Sequence, residues 1–267
     1  MTDVQNQVDL RGIKIKRTGV TKVFLPFFIA DGENIQQVAA QIQFTVSLAD
    51  NLRGTHMSRL TEILTDWTQQ PLEIPDVEKI LLDALDKLAT DFAAINIAFK
   101  FFVEKSSPVS QKISLSAVDC QFIGELTRGE RMKFILGLSV PFTSLCPCSK
   151  EISDFGAHNQ RSVCRVKLTF KDFENISIEK IVRLIEAQGS AEVFPLLKRE
   201  DEKFVTEAAY QNAKFVEDIL RDVVIALRGV ENLTAFAVEC ENFESIHNHN
   251  AFASHEEEIL GGLDHEL

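Results

Sequence analysis

The sequence is poor in cysteine and has no long apolar run, and each shortage excludes a class of protein. Five cysteines in 267 residues is an odd number, and the opening Met1–Asp9 is polar, without the apolar segment of a secretory signal. A disulfide framework is therefore not expected, and the thiols should be free to bind metal. No stretch approaches the roughly 18 uninterrupted apolar residues of a membrane span. We expect a cytoplasmic protein with no membrane partner.

Basic residues are also few, since 28 Lys and Arg stand against 40 Asp and Glu and the formal net charge is −12. Such a chain lacks the basic field that displaces counterions from a phosphate backbone, so no nucleic-acid partner is expected. An anionic substrate would have to meet a local basic patch. The candidates for that patch are Lys150, Arg161, Lys198, Arg199 and Lys203.

The apolar residues, 45% of the chain, are sufficient for a packed core, and their spacing in the first half predicts strands and helices in turn. The predicted strands cover residues 23–29, 42–48, 95–103 and 113–115. Between the second and third strands, one helix is predicted after an N-cap at Ser58 and another after an N-cap at Asp76. The order is ββααββ.

The same order recurs beyond a polar stretch near residue 130. Strands are predicted at residues 132–140, 166–170 and 236–240, with one helix ending near Gly189 and another at Gly229. This repetition indicates duplication of one ββααββ unit. We therefore predict an α+β fold of two tandem modules with antiparallel sheets, residues 1–130 and 131–267, the second carrying most of the motifs.

Residues able to carry chemistry gather in two short segments of the second half, and the first contains two thiols. Cys146 and Cys148 flank Pro147, and in an extended segment both thiols would face one cavity. His158 adds an imidazole close behind them. Three such donors suit Zn²⁺, Fe²⁺ or Mn²⁺ with a position left open for water. A structural zinc site normally uses paired C-x-x-C elements, which this sequence lacks, so a catalytic site is favoured.

The second segment lies near residue 245 and supplies two carboxylates, Glu241 and Glu244, and two imidazoles, His247 and His249. We expect the strand before it to deliver these groups to one edge. The remaining histidines and cysteines are interpreted as ordinary surface or core residues. They are His255, His265, Cys120, Cys164 and Cys240.

Five strings of residues resemble the type IB GTP cyclohydrolases. They match that family in order across nearly the full length of the sequence. The strings are Arg53–Arg59, Cys146–Ser153, Gly156–Ser162, Leu197–Lys203 and Glu241–His249.

This resemblance implies a tunnelling fold in which subunits assemble into a barrel, with active sites between modules or subunits. It implies a homo-oligomer, which we expect to be a tetramer. The implied reaction converts GTP and water into formate and 7,8-dihydroneopterin triphosphate, the first committed step towards tetrahydrofolate. The implied cofactor is a divalent metal, Mn²⁺, Fe²⁺ or Zn²⁺.

The resemblance also implies roles for individual residues. Cys146 and His158 would hold the metal together with Glu200 or a residue of the last string such as His249, and the metal would polarise water for attack on guanine C8. Proton delivery to the ring nitrogen has the candidates His247, His249, Glu244 and Cys148. The preferred donor is His247, oriented by Glu244.

Substrate binding requires a carboxylate for guanine and cations for the triphosphate. Glu217, at the start of a helix, would accept from guanine N1 and N2; the alternative is an ordinary first-turn carboxylate favoured by the helix dipole. Cations that would meet the triphosphate are Lys150, Arg161, Arg199, Arg53 and Arg59.

Three alternatives remain open from the sequence. An archaeal branch of the same family opens GTP but makes a cyclic phosphate. A non-catalytic metal-binding or thiol redox protein would use Cys146 and Cys148 reversibly. A related tunnelling-fold enzyme would attack a deazaguanine nitrile or another pterin through its cysteine and would need a nicotinamide cofactor.

Overall fold

The computed structural model describes Gln5, residues 7–173 and residues 176–259, and these contain ten strands and six helices. They divide into two compact units. Unit 1 takes in the described residues of Met1–Lys100, Cys120–Leu136 and Phe173–Ile176, and unit 2 those of Phe101–Asp119, Gly137–Asp172 and Ser177–Leu267. The predicted module limits, 1–130 and 131–267, stay a prediction. His265 lies outside the described residues.

The first half of the chain follows the predicted order of elements. These are β1 (Ile15–Asp31), β2 (Asn34–Leu48), α1 (Met57–Trp67), β3 (Pro71–Leu72), α2 (Asp76–Lys87), β4 (Phe92–Ser106) and β5 (Ile113–Thr127). Within unit 1 the hydrogen-bonded strand order is β3-β1-β2-β4-β5. β2 pairs antiparallel with β1 and β4, and the short β3 pairs parallel with β1.

Alternation of apolar and polar residues places one face of β2 in the core of unit 1, where Ile42, Phe44 and Val46 are fully buried. Both helices turn an apolar stripe to this face. Helix α2 packs closely against the sheet at Gly124 of β5, because a Cβ added there would lie 2.6 Å from Cγ1 of Val77 on α2. A larger residue at this position would push α2 off the sheet.

Both helix starts in unit 1 differ slightly from the prediction. α1 begins at Met57 with His56 as N-cap, so Ser58 is already helical. α2 begins at Asp76 with Pro75 as N-cap, and the Asp76 carboxylate accepts from the backbone N–H of Glu73 at 2.9 Å. Asp76 therefore stabilises the turn that precedes the helix.

The second half repeats the order and adds further elements. It forms β6 (Lys133–Leu145), α3 (Pro147–Ile152), β7 (Asn159–Phe170), α4 (Ile178–Glu186), β8 (Ala191–Glu192), α5 (Arg199–Gln211), α6 (Val216–Arg228), β9 (Leu233–Asn242) and β10 (Ala251–Glu258). Within unit 2 the strand order is β10-β9-β7-β6, with β8 paired to β6. The pairs β7–β9 and β9–β10 are antiparallel.

The core of unit 2 lies between α4, α6 and the buried faces of β7 and β9. Helix α6 has Phe215 as its N-cap and ends at Gly229, as predicted. The fully or almost fully buried residues include Ile181, Ile185, Ile219, Val223, Leu227, Val166, Leu168, Phe236 and Val238. The α+β class with mainly antiparallel strands is thus confirmed. The assembly of subunits into a barrel stays a prediction.

The helices of the described residues are short. The longest, α5 and α6, have 13 residues each, and none of the described helices is long and apolar enough to cross a membrane.

Candidate active site

Cys146 and His158 lie at the two ends of one loop between β6 and β7. Cys146 has an extended backbone, with φ −70° and ψ 119°, and is the N-cap of α3. Its backbone N–H donates to the His158 carbonyl at 3.1 Å. The Ser149 hydroxyl donates to the Cys146 carbonyl and accepts from the His158 N–H, both at 3.2 Å. The loop therefore holds the two predicted ligands side by side at the backbone.

The structure contradicts the expectation that an extended segment turns both thiols the same way. Pro147 is the first residue of α3, where its fixed φ suits a helix, so the backbone becomes helical directly after Cys146. Cys146 is partly buried, and its Sγ accepts from the Ser149 N–H at 3.5 Å, whereas Cys148 is exposed. The two thiols occupy different environments, which suits two separate roles.

Antiparallel pairing of β7 and β9 brings the two chemical segments to the same end of the sheet. Ser162 is paired with Asn242, so the residues just before Ser162 meet those just after Asn242. Glu244 thereby reaches His158: its Oε2 lies 3.7 Å from Nδ1, and the side chains are 12% and 11% exposed respectively. A carboxylate and an imidazole from segments far apart in sequence are thus brought into contact.

The predicted partnership of Glu244 with His247 is not present. No hydrogen bond or ion pair joins these two side chains among the described residues, and Glu244 faces His158 instead. His247 and His249 are exposed on the loop between β9 and β10. Their rings stack, with centroids 5.2 Å apart, and Nδ1 of His249 lies 3.2 Å from Oδ1 of Asn248.

This loop is closed at its base by Glu241. The Asn250 amide donates to Glu241 Oε1 at 2.8 Å, and the Arg165 guanidinium donates to Oε2 at 2.9 Å. These hydrogen bonds, from Asn250 first and then Arg165, lower the pKa of the Glu241 carboxyl. Glu241 therefore stays ionised and anchors the loop, and it is not suited to donate a proton.

A buried polar group next to His158 was not predicted from the sequence. Gln160 Oε1 lies 2.8 Å from His158 Nδ1, and Gln160 Nε2 donates to the Ser144 hydroxyl at 2.9 Å. The Ser162 hydroxyl donates to Ser144 at 2.8 Å. Polar residues at positions where strand alternation demands apolar ones are the signal that could have revealed this group.

Glu200 and Arg199, predicted to bind metal and triphosphate, are the first two residues of α5 and are exposed. Asp201 beside them is fully buried and accepts from the backbone N–H groups of Val109, Ser110 and Lys198. Burial by itself would raise the pKa of Asp201, but the Ser110 hydroxyl and these N–H groups hold it well below its usual range. Asp201 thus fixes the start of α5.

The other predicted substrate-binding residues of unit 2 lie on different elements, and no hydrogen bond or ion pair joins them among the described residues. Glu217 lies exposed in the first turn of α6. Arg161 is exposed on β7. Lys150 donates through Nζ to the Tyr210 carbonyl at 2.6 Å, and Nζ lies 4.5 Å from the centre of the Tyr210 ring.

Comparison with known proteins places the chain in a family. Residues 1–253 match the family model described as type I GTP cyclohydrolase folE2. The chain belongs to this family. The GTP cyclohydrolase FolE2 of Geobacter sulfurreducens is 46% identical over 259 residues, which cover 97% of this chain and 98% of that protein. The FolE2 of Geotalea uraniireducens is 45% identical over 255 residues, covering 95% and 92%.

Solved structures with the same fold are uricases of very different sequence. The uricase of Arthrobacter globiformis has a TM-score of 0.53 at 7% identity and covers 93% of this chain and 95% of its own. The urate oxidase of Bacillus sp. TB-90 has a TM-score of 0.53 at 9% identity and covers 91% and 100%. At such identities the likeness concerns the fold alone, and it confirms the tunnelling fold.

The string Arg53–Arg59 lies in unit 1, where Thr55, His56 and Arg59 line a cavity of about 380 Å³ with Lys14. The Arg59 guanidinium donates to the Lys87 carbonyl at 2.7 Å, and Arg53 donates to the Gln7 side chain. This cavity also contains the acidic residues Asp50 and Asp91. The assignment of Arg53 and Arg59 to the triphosphate stays a prediction.

Membership of the FolE2 family suggests a dependence on metal. Among the described residues, no three His, Cys, Asp or Glu side chains are placed together to hold an ion, so neither Glu200 nor His249 completes a set with Cys146 and His158. The donors that do meet still fit a divalent ion, because a thiol and an imidazole share one loop and a carboxylate faces the imidazole. The complete ligand set stays a prediction.

Proposed function

We propose that the chain hydrolyses GTP at guanine C8, releasing C8 as formate and forming 7,8-dihydroneopterin triphosphate, the first step of tetrahydrofolate synthesis. The observation that carries this proposal is that Cys146, His158 and Glu244 lie together in one site of a chain whose residues 1–253 match the folE2 family model. Relatives named GTP cyclohydrolase FolE2 that match nearly the full length support the same reaction.

Cys146 and His158 are the proposed core of the metal site, with Glu200 and His249 as further ligands. A bound Mn²⁺, Fe²⁺ or Zn²⁺ would act as a Lewis acid that makes water nucleophilic near neutral pH. Glu244, 3.7 Å from His158 Nδ1, supplies negative charge that makes the imidazole a stronger donor to a cation. The partial burial of both side chains strengthens this effect by limiting solvent screening.

Release of formate requires both bonds from C8 to nitrogen to break, and each departing nitrogen needs a proton. His247 is the proposed donor because its imidazole is exposed on the loop between β9 and β10, and imidazole is the side chain that most often transfers protons in catalysis. Cys148, exposed on α3, is the second candidate, since it lies two residues from Cys146. Glu241, Asn250 and Arg165 hold the base of the loop that carries His247.

Recognition of GTP is assigned to charged residues around this site. The Glu217 carboxylate would accept from guanine N1 and N2, which adenine cannot provide. Lys150, Arg161 and Arg199 would meet the triphosphate. Because the chain carries a net charge of −12, these local cations have to overcome the repulsion of GTP by the rest of the protein.

The test is incubation of metal-stripped protein with GTP, with and without Mn²⁺, followed by formate assay and pterin fluorescence after oxidation. Metal-dependent appearance of both products is expected. His247→Gln should lose most of this activity, whereas His255→Gln, on β10 and paired with Glu257, serves as the matched control and should keep it. Unchanged GTP with Mn²⁺, Fe²⁺ and Zn²⁺ would contradict the proposal and favour the redox or nitrile-reducing alternatives.

The mass of the product separates the two cyclohydrolase branches. A linear triphosphate is expected, and a cyclic phosphate would place the chain with the archaeal reaction. Assembly into a homo-oligomer, with four subunits forming the barrel, and a cytoplasmic location are parts of the same proposal.

A further inference from the structure

Strand β7 buries polar side chains where its pattern requires apolar ones. The buried face of β7 runs through Cys164, Val166 and Leu168 towards its C-terminal end. At the other end, next to His158, the same face carries Ser162, 1% exposed, and Gln160, 8% exposed. Burial of a polar group costs free energy unless hydrogen bonds replace those it made to water. The polar end of this strand therefore needs an explanation in the contacts it makes.

Those contacts form a short chain of hydrogen bonds that ends on His158. Ser144 on β6 is fully buried and accepts from both the Ser162 hydroxyl, at 2.8 Å, and the Gln160 Nε2, at 2.9 Å. With its amide nitrogen held by Ser144, Gln160 directs Oε1 to His158 Nδ1 at 2.8 Å. The amide cannot turn without breaking a buried hydrogen bond and leaving its partner unsatisfied.

This arrangement selects one form of the His158 ring. An amide oxygen only accepts hydrogen bonds, so Nδ1 must carry the proton. Oε2 of Glu244, 3.7 Å from the same nitrogen, acts in the same direction, because a lone pair on Nδ1 would face two oxygen atoms. The other ring nitrogen, Nε2, then keeps its lone pair free to bind a cation.

We propose that Gln160 is a positioning residue: held by Ser144 and Ser162, it fixes His158 in the Nδ1–H tautomer and presents Nε2 as a metal ligand. The part concerning the metal rests on the proposed function. The part concerning the tautomer rests only on contacts among Gln160, Ser144, Ser162, Glu244 and His158.

The tautomer is tested directly on metal-stripped, unsubstituted protein by ¹⁵N–¹H correlation spectra of the histidine rings at pH 8. The His158 signals are those missing from His158→Gln. A protonated Nδ1 and an unprotonated Nε2 are expected. A protonated Nε2, or a ring that averages between both forms, would overturn the proposal whatever the metal does.

The positioning role is tested by metal affinity measured without GTP, in competition with a chromophoric chelator and with Mn²⁺ or Zn²⁺ as the probe. Gln160→Met removes the acceptor at similar volume and should weaken binding about 10–100-fold, the usual effect of losing such a partner. Gln160→Glu retains an oxygen towards Nδ1 and should keep most of the affinity. Gln43→Met, at an exposed strand position of β2, is the matched control.

The variants also distinguish loss of the positioning contact from misfolding of the variant and from absence of a metal site in the unsubstituted protein. If Gln160→Met does not fold, Ser144→Ala removes the partner of Gln160 Nε2 and should weaken metal binding in the same direction. Folded Gln160→Met or Ser144→Ala protein with unchanged affinity would refute the positioning role. Unsubstituted protein that binds no metal would contradict the proposed function, while the ring spectra would still decide the tautomer.

Discussion

Cys146 and Cys148 are close in sequence but differ in surroundings, and this difference predicts separable effects of substitution. Cys146 is partly buried and its loop is tied to His158, whereas Cys148 is exposed on α3. Cys146→Ser should lose bound metal and GTP turnover together, because a neutral hydroxyl is a far weaker ligand than a thiolate. Cys148→Ser should keep metal and lose turnover at least tenfold if its thiol moves protons.

Both quantities are measured on the same preparations, metal by mass spectrometry and turnover by formate release. Stoichiometric metal in Cys146→Ser would remove Cys146 from the ligand set. Full turnover in Cys148→Ser would leave His247 as the candidate for proton delivery.

Substitution of Glu217 tests the proposed recognition of guanine. Glu217→Gln replaces one accepting oxygen by a donor, so guanine N1 and N2 would lose a charge-assisted pair of hydrogen bonds. We expect KM for GTP to rise about 10–100-fold, the value of such a pair, with metal content unchanged. Glu231→Gln, an exposed carboxylate of unit 2, is the control. Equal KM values in both variants would return Glu217 to the role of a first-turn carboxylate that stabilises α6.

The residue types of the site could be predicted from the sequence, but their partners could not. Cys146 and His158 lie side by side at the backbone because one short loop joins them, and their shared role as metal ligands stays a prediction. Glu244 was assigned to His247, three residues away, whereas the β7–β9 register brings it to His158. Side-chain partners set by strand register depend on pairing between distant segments, which a single sequence does not reveal.

Helix α5 has a start that depends on one carboxylate, and this makes its stability sensitive to pH. Asp201 accepts four hydrogen bonds, from Val109, Ser110 twice and Lys198. Asp201→Asn would place an amide NH₂ against donors and should lower Tm at pH 7. Asp218→Asn is the matched control, since Asp218 has the same place in α6 but accepts one backbone N–H, from Phe215.

The sign of the pH effect follows from the lowered pKa of Asp201. Its contribution is complete above the unfolded-state pKa, about 3.9, and is lost as pH falls towards the folded-state value. The Tm difference between unsubstituted protein and Asp201→Asn should therefore be largest at neutral pH and shrink below about pH 4. A difference that stays constant from pH 7 to pH 3 would show that Asp201 acts through packing and not through its charge.

Strands and helices with strong apolar periodicity were predicted well, and polar ones were missed. β2, α4 and α6 bury one regular face, so their spacing reveals them. α5 buries only Asp201 and Ala209 and has no apolar stripe, and β10 has no fully buried residue. Such elements are stabilised by helix caps and by strand pairing, and the spacing of apolar residues does not indicate either.

The repetition of the ββααββ order could be read from the sequence except for its last strand, β10, because the other elements keep their order even where their lengths change. The insertions, α3 and α5, both carry motif residues, Cys148 on one and Glu200 on the other. The repeat thus predicts the order of the main strands and helices. The helices that interrupt it carry residues of the candidate site. The number of subunits is not encoded in any such pattern.

Strand β10 lies at an edge of the sheet and predicts how subunits assemble. It pairs with β9 on one side, has no second strand neighbour among the described residues, and exposes 58% of Phe252. An open edge with an apolar side chain is a template for pairing with another chain. We expect sedimentation equilibrium to give about 120 kDa, four chains of 30.0 kDa.

Phe252→Asp should shift this mass towards the single chain, because a charge at the edge opposes pairing. Ile225→Asp, at a 65% exposed position on α6, is the matched control and should leave the mass unchanged. A tetramer that persists in Phe252→Asp would place the subunit contact elsewhere. Unsubstituted protein that sediments at 30.0 kDa would contradict the barrel, and the active site would then have to be complete within one chain.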